Sequence, residues 1–148
     1  MPHDRPEDEL ALLVADIYEA AGALRRSGDQ LAQQAGQTQA RWQLMSVASE
    51  GNWTVPAIAS RLGISRQAVQ RVADDLVANG DLRYIENPSH RRSPWMQLTE
   101  KGRRSLESIT TGSRRWRAQV AGGVSIEDMA QARNTLKALT ARIRNTPS

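Results

Sequence analysis

Residues 54–80 read TVPAIASRLGISRQAVQRVADDLVANG. Thr54 suits the N-cap of a short helix, and Pro56 falls in its first turn, where a missing N–H does little harm. Gly63 ends that helix after Leu62. Ser65 then suits the N-cap of a longer helix, about residues 66–79, which Gly80 stops. A short helix, a tight turn containing glycine and a longer helix form a helix-turn-helix. In the longer helix Val69, Val72, Ala73 and Leu76 share one face, while Gln67, Arg71 and Asp74 point away from it, flanked by Arg66 and Gln70. Arginine matches guanine and glutamine matches adenine in the major groove. The N-terminus of such a helix also offers N–H groups to phosphate. The competing reading of the same segment is an ordinary helical hairpin with a solvated face.

A hairpin follows. Residues 82–86 alternate like a half-buried strand, residues 87–94 form a turn-rich basic loop, and residues 95–99 return as a second strand. A basic β-hairpin directly after a helix-turn-helix is the layout of a winged helix, whose wing can straddle the backbone or send an arginine into the minor groove. The flanks are helical. Leu10, Leu13, Val14, Ile17, Ala21 and Leu24 predict a helix over about residues 9–26, broken by Ser27, Gly28 and Asp29, with residues 29–37 a loop or short helix. Thr38 opens a helix to about residue 50 that carries Trp42, Met45, Val47 and Ala48, and residues 53–55 allow a very short strand. Thr99 caps a long helix over about residues 100–121 with a seam of Gly102, Leu106, Ile109, Ser113, Trp116 and Val120. After Gly122 and Gly123, Ser125 opens a last helix whose seam is Met129, Ala132, Leu136, Leu139 and Ile143. The expected fold is mainly α with a small β-hairpin wing.

At 148 residues the chain fits the length of one domain, roughly 100–200 residues. It has no cysteine, which excludes disulfides, thiolate metal sites and thiol redox switches. Its two histidines, His3 and His90, lie far apart, and no nucleophile–base pairing, phosphate loop or metal spacing is visible. Neither an enzyme nor a cofactor or metal site is expected. The longest apolar run, residues 10–15, is far short of the ~20 residues of a membrane span. The acidic start MPHDRPEDE is unlike a secretory signal. A soluble, cytoplasmic protein is the expectation. Residues 1–60 carry four basic and eight acidic side chains, and residues 61–148 carry sixteen basic and eight acidic ones. A basic half suggests a polyanionic partner, most simply nucleic acid, or else a solvated face.

From Thr38 to Gly102 the sequence resembles the MarR family of bacterial transcription regulators. The residues that carry the resemblance are Thr38 to Trp42, the run IASRLGISRQAV at 58–69, LVANG at 76–80, Asn87-Pro88 with Arg91-Arg92, and LTEKG at 98–102. The resemblance implies a homodimeric regulator, most often a repressor, that binds double-stranded DNA at a pseudo-palindromic operator. It implies residues 38–99 as the winged helix-turn-helix domain, with residues 1–37 and 100–148 forming a helical dimerisation domain. Ser65 would cap the recognition helix, Arg66, Gln67, Gln70 and Arg71 would read bases and backbone, and His90, Arg91 and Arg92 would serve the wing. His90 stands where the family usually has an aspartate two residues before the minor-groove arginine. Histidine cannot orient that arginine as an anion, which implies a wing less preorganised, more phosphate-directed or pH-sensitive; the alternative is an exposed loop residue. Family members often bind small aromatic ligands, and Tyr18, Trp42, Met45 and Trp116 are the residues here that suit such a pocket, with core packing the competing role. The competing function is a winged-helix protein-interaction module without sequence-specific DNA binding.

Overall fold

The computed structural model describes residues 4–148, so His3 lies outside the described residues. The elements run α1 (Pro6–Gln33), α2 (Gln39–Ala48), α3 (Val55–Leu62), α4 (Arg66–Ala78), β1 (Leu82–Ile85), β2 (Trp95–Leu98), α5 (Glu100–Ala121) and α6 (Ile126–Asn145). The chain is mainly helical with one two-stranded antiparallel hairpin, as expected. Hydroxyl caps open most of the helices. Thr38, Thr54, Ser65 and Ser125 each accept an N–H from the third residue on, and the Thr99 hydroxyl accepts the Gly102 N–H at 3.1 Å. Each cap satisfies a donor that the first turn leaves without a helical partner.

The first helix departs from expectation. Ser27, Gly28 and Asp29 do not break it; α1 continues for 28 residues to Gln33. The reason is tertiary. Gly28 is buried, and a Cβ there would stand only 2.7 Å from Gln39 Cγ. The Asp29 carboxylate accepts the Gln39 N–H at 2.8 Å, capping the start of α2 from the side of α1. The three residues are thus the seat of α2 rather than a turn. The chain turns later, at Gly36, where φ is +71° and the Gln37 N–H reaches back to the Ala32 carbonyl at 2.9 Å. Residues 53–55 contribute one bridge, not a strand: the Met96 N–H donates to the Trp53 carbonyl at 2.8 Å.

Two compact units make up the chain, the first ending at Ser113 and the second spanning Arg114–Ser148. The core of the first unit gathers Leu44 and Met45 from α2, Ile58 from α3, Val69, Ala73 and Leu76 from α4, Leu82, Met96 and Leu98 from the hairpin, and Ile109 from α5. Each full burial of a Leu, Ile or Val side chain contributes about 1.5–3 kcal/mol. In the second unit α6 has no buried residue. Among the described residues no helix is long and apolar enough to cross a membrane.

A single polar junction organises the first unit. Asp81, only 1% exposed, follows α4 and precedes β1. Its N–H donates to the Leu76 carbonyl (2.8 Å), and its carbonyl accepts the Thr99 N–H (3.1 Å). Its carboxylate accepts the Ser105 hydroxyl (3.2 Å) and a long contact from the Gln37 amide (3.5 Å). Gly102 of α5 lies against this junction. A Cβ at Gly102 would overlap the Asp81 carbonyl oxygen and approach Leu98 Cδ2 to 3.0 Å. Gly112, one helical stretch further on, has Gln34 Oε1 as its nearest such neighbour at 3.9 Å. Gly102→Ala is expected to cost about 3 kcal/mol in denaturant unfolding, the upper end of the usual overpacking range. Gly112→Ala is expected to gain about 0.5–1 kcal/mol from helix propensity. Equal effects at the two sites would remove the role assigned to the Gly102 contact.

Candidate nucleic-acid interface

The geometry starts from α3 and α4. Gly63 ends α3 with φ at +68°, a left-handed conformation that glycine adopts without a Cβ clash. The Ser65 hydroxyl accepts the Ala68 N–H at 3.1 Å and fixes the first turn of α4. Val69, Ala73 and Leu76 are fully buried, so the opposite face is committed to solvent. That face carries Arg66, Gln67, Gln70, Arg71 and Asp74, all exposed. It is the arrangement read from the sequence.

The wing is held from its base. Leu82 pairs with Leu98, Arg83 with Gln97, Tyr84 with Met96 and Ile85 with Trp95. Across the outer face the Arg83 Nε–H donates to Gln97 Oε1 at 2.7 Å. The loop is ordered by Asn87, which is 6% exposed. Asn87 Oδ1 accepts the Ser89 N–H (3.1 Å), Nδ2 donates to the Ser93 carbonyl (3.0 Å), and the Asn87 carbonyl accepts the His90 N–H (3.1 Å). His90 contributes its main chain to the turn, its carbonyl accepting the Ser93 N–H at 3.1 Å. An internal amide thus preorganises this loop, in the place where an acid at position 90 would be expected to act. The side chains of His90, Arg91 and Arg92 are exposed.

Between the start of α3, the exposed face of α4 and the wing lies a cleft of about 380 Å³. Arg66, Gln67, Gln70, Tyr84 and Arg92 line it. The fold therefore brings four of the sequence-nominated residues into one concavity. Arg71, His90 and Arg91 are exposed outside that lining, and Ser65 acts as the cap. Among the described residues Arg66, Arg71, Arg91 and Arg92 have no ion-pair partner. Four guanidinium groups thus keep their charge unneutralised. Arg41 differs, lying 3.8 Å from the Asp75 carboxylate.

Two participants were not nominated from the sequence. The Tyr84 hydroxyl donates to Asp74 Oδ1 at 2.7 Å, and the Gln70 amide nitrogen donates to the same oxygen at 2.9 Å and to the Tyr84 oxygen at 2.8 Å. This triangle ties α4 to the first strand of the wing. The alternation of the strand places Tyr84 on the helix-facing side, but nothing local to the sequence names its partner. The bond from Tyr84, then that from Gln70, holds the Asp74 carboxyl below its ordinary value. Partial burial, reinforced by the Asp74 carboxylate, pushes the Tyr84 phenol up.

Of the four residues nominated for an aromatic pocket, Tyr18, Trp42 and Met45 lie in the first unit. Met45 is fully buried, Tyr18 is 73% exposed, and Trp42 packs half-buried on the core. Trp116 belongs to the second unit and is half-buried. A different cleft, about 400 Å³, opens between α1, α2 and α4, with Leu24, Leu62, Ile64 and Val72 on its walls and Arg25 and Gln43 as polar groups.

The pH consequences have opposite signs. The Asp74 bonds contribute above the ordinary carboxyl value near ~4 and are lost as pH falls through the lowered one. The Tyr84 bond contributes below about pH 10 and is lost as pH rises through the raised value. In a Tyr18→Phe variant, Tyr84 is the sole tyrosine. Its tyrosinate absorbance is expected to rise well above pH ~10, and adding Asp74→Ala is expected to lower that midpoint. A midpoint at ~10 in both variants would contradict the bonded geometry.

The MarR family model matches residues 36–93, from just before α2 into the wing. An uncharacterised protein of Mycobacterium tuberculosis is 58% identical over 103 residues, 70% of this chain and 72% of the relative. A MarR/EmrR family transcriptional regulator from Acinetobacter sp. ADP1 superposes with a TM-score of 0.81 over 92% of this chain and 97% of its own, at 21% identity. A mutant MarR from E. coli complexed with operator DNA superposes with a TM-score of 0.72 over 92% of this chain and 99% of its own, at 18% identity. The chain belongs to the MarR family of winged-helix transcriptional regulators, a family of regulators rather than enzymes.

Proposed function

We propose that the chain is a homodimeric, sequence-specific DNA-binding repressor that recognises a pseudo-palindromic operator. The observation that carries this reading is the cleft shared by Arg66, Gln67, Gln70 and Arg92, flanked by arginines without ion-pair partners among the described residues. The E. coli relative bound to operator DNA has the same fold, which supports it. In this role α4 enters the major groove, with Arg66, Gln67, Gln70 and Arg71 at base edges and backbone, and with the capped turn at Ser65 near a phosphate. The wing lies along the adjacent backbone, His90 and Arg91 toward phosphates and Arg92 toward the minor groove. Double-stranded DNA is thus the main partner, and the protein works in the cytoplasm.

The dimer rests on unpartnered apolar side chains. Leu12, Leu24, Ile126, Leu136 and Ile143 are 46%, 57%, 78%, 42% and 65% exposed in the single chain. Residues 1–37 and 100–148 supply the surfaces buried against the second copy, while residues 38–99 read DNA. Two recognition helices about 34 Å apart then meet successive turns of one face of the duplex. A small aromatic ligand is the proposed effector, and the cleft between α1, α2 and α4, with Arg25 beside apolar walls, suits an aromatic acid. It acts by its differential affinity for a dimer whose helices are wrongly spaced for the operator.

The test is a selection of random duplex DNA by the purified protein, followed by a salt titration. An inverted repeat is expected, with log affinity falling by about 0.9 per phosphate neutralised against log salt. No enrichment by a folded sample would overturn the reading in favour of a protein-interaction module. Arg71→Ala is expected to lose about 1–3 kcal/mol at the selected site, whereas equal loss on every sequence would make Arg71 a phosphate contact. Arg92→Ala is expected to weaken binding chiefly where A·T-rich flanks narrow the minor groove. In sedimentation, Leu136→Asp is expected to convert dimer to monomer; an unchanged dimer would move the interface away from α6.

A further inference from the structure

The triangle of Gln70, Asp74 and Tyr84 fixes more than the position of the wing. Gln70 Nε2 lies 2.9 Å from Asp74 Oδ1 and 2.8 Å from the Tyr84 oxygen, which itself lies 2.7 Å from Asp74 Oδ1. Counting protons leaves one solution. A carboxylate only accepts. The phenol has one hydrogen and gives it to Asp74, so toward Gln70 its oxygen accepts. Gln70 must therefore turn its nitrogen to both partners, which at 2.7 Å from each other stand close enough for its two hydrogens to straddle them. The Oε1 atom is what remains of the amide, on an exposed side chain that lines the cleft between α4 and the wing. The negative charge behind the amide polarises it and makes that oxygen a better acceptor.

A free glutamine offers one donor and one acceptor and pairs with adenine through both N6 and N7. We propose that Gln70 reads its base as an acceptor only, with Asp74 and Tyr84 as the positioning residues that impose this. In the major groove a lone donor is offered by cytosine N4 and by adenine N6, whereas guanine and thymine present acceptors. The base facing Gln70 is then cytosine or adenine without distinction between them. This inference rests on the DNA-reading function proposed above and specifies one element of its specificity.

The experiment is a set of parallel selections on random duplex DNA with the full-length wild type, Gln70→Ala, and the double variant Asp74→Ala/Tyr84→Phe. Asp74 and Gln70 are exposed, and phenylalanine keeps the ring that packs on the core, so the variants retain the fold. Gln70→Ala identifies the position, as the one whose preference flattens. There the wild type is expected to enrich cytosine and adenine to within about twofold of each other, both about tenfold over guanine and thymine. The double variant releases both amide hydrogens and is expected to favour adenine over cytosine by about tenfold, with the salt slope unchanged. Tyr84→Phe alone, releasing one hydrogen, shifts the preference the same way by less. A purely structural role for the triangle would weaken binding to all sequences alike and leave the preference unmoved, which overturns the proposal. An adenine-only position in the wild type, or an operator in which Gln70→Ala flattens no position, overturns it as well while leaving the DNA-reading function standing. A wild type that selects no sequence overturns both.

Discussion

The placement of α4 and the wing depends on the contact between Asp81 and the first turn of α5. The Asp81 carbonyl occupies the space that a side chain at residue 102 would need. Around it, one residue bonds to the end of α4, the end of β2, α5 and the approach to α2. A carboxylate 1% exposed is costly to bury unless its oxygens are bonded, and here each oxygen has a partner. The neighbouring bonds reinforce the junction: Thr99 donates its hydroxyl to the Gly80 carbonyl at 2.5 Å, and the Lys101 ammonium donates to the Asn79 carbonyl. The C-terminal end of the recognition helix, the base of the wing and α5 therefore share one anchor. A displacement of the first turns of α5 would reach α4 and the hairpin together.

The charge pattern acquires meaning only against this frame. The basic side chains of residues 61–148 are numerous, yet most say little singly. The informative ones are the arginines near the cleft that the fold leaves unpaired. Asp74 sits among them as a negative charge on the reading face, and its two bonds turn it inward to Gln70 and Tyr84. The carboxylate keeps its charge, and its two bonds let that charge orient an amide.

The parts of the fold readable from the sequence were those written in short-range chemistry. Thr38, Thr54, Ser65, Thr99 and Ser125 mark helix starts because a hydroxyl three residues ahead of an N–H can cap it, and all five do so. The face of α4 was readable because its apolar residues recur with the helical period and so commit the opposite side to solvent. The continuation of α1 was not readable. Its apparent breaker, Gly28, is a contact residue, and only the position of Gln39 reveals it. Asn87 and Tyr84 were hidden for the same reason: their partners, Ser93 and Asp74, are defined by the closed hairpin and its docking on α4. Met45 is fully buried, in keeping with the core role weighed beside the pocket one, and apolar periodicity alone does not separate the two.

Helix α6 is 20 residues long and has no buried side chain in its own chain. A helix of that length receives little from propensity alone in water, because nucleation is costly and each added residue gains only slightly. Its order then draws on whatever covers its apolar side. Where that cover is the second copy proposed above, the order of the C-terminal unit follows protein concentration: dilute chains would have a looser end, concentrated ones a complete molecule. Newly made chains would then be exposed to proteolysis at that end until enough copies accumulate, which sets a threshold on the working population without any dedicated sensor.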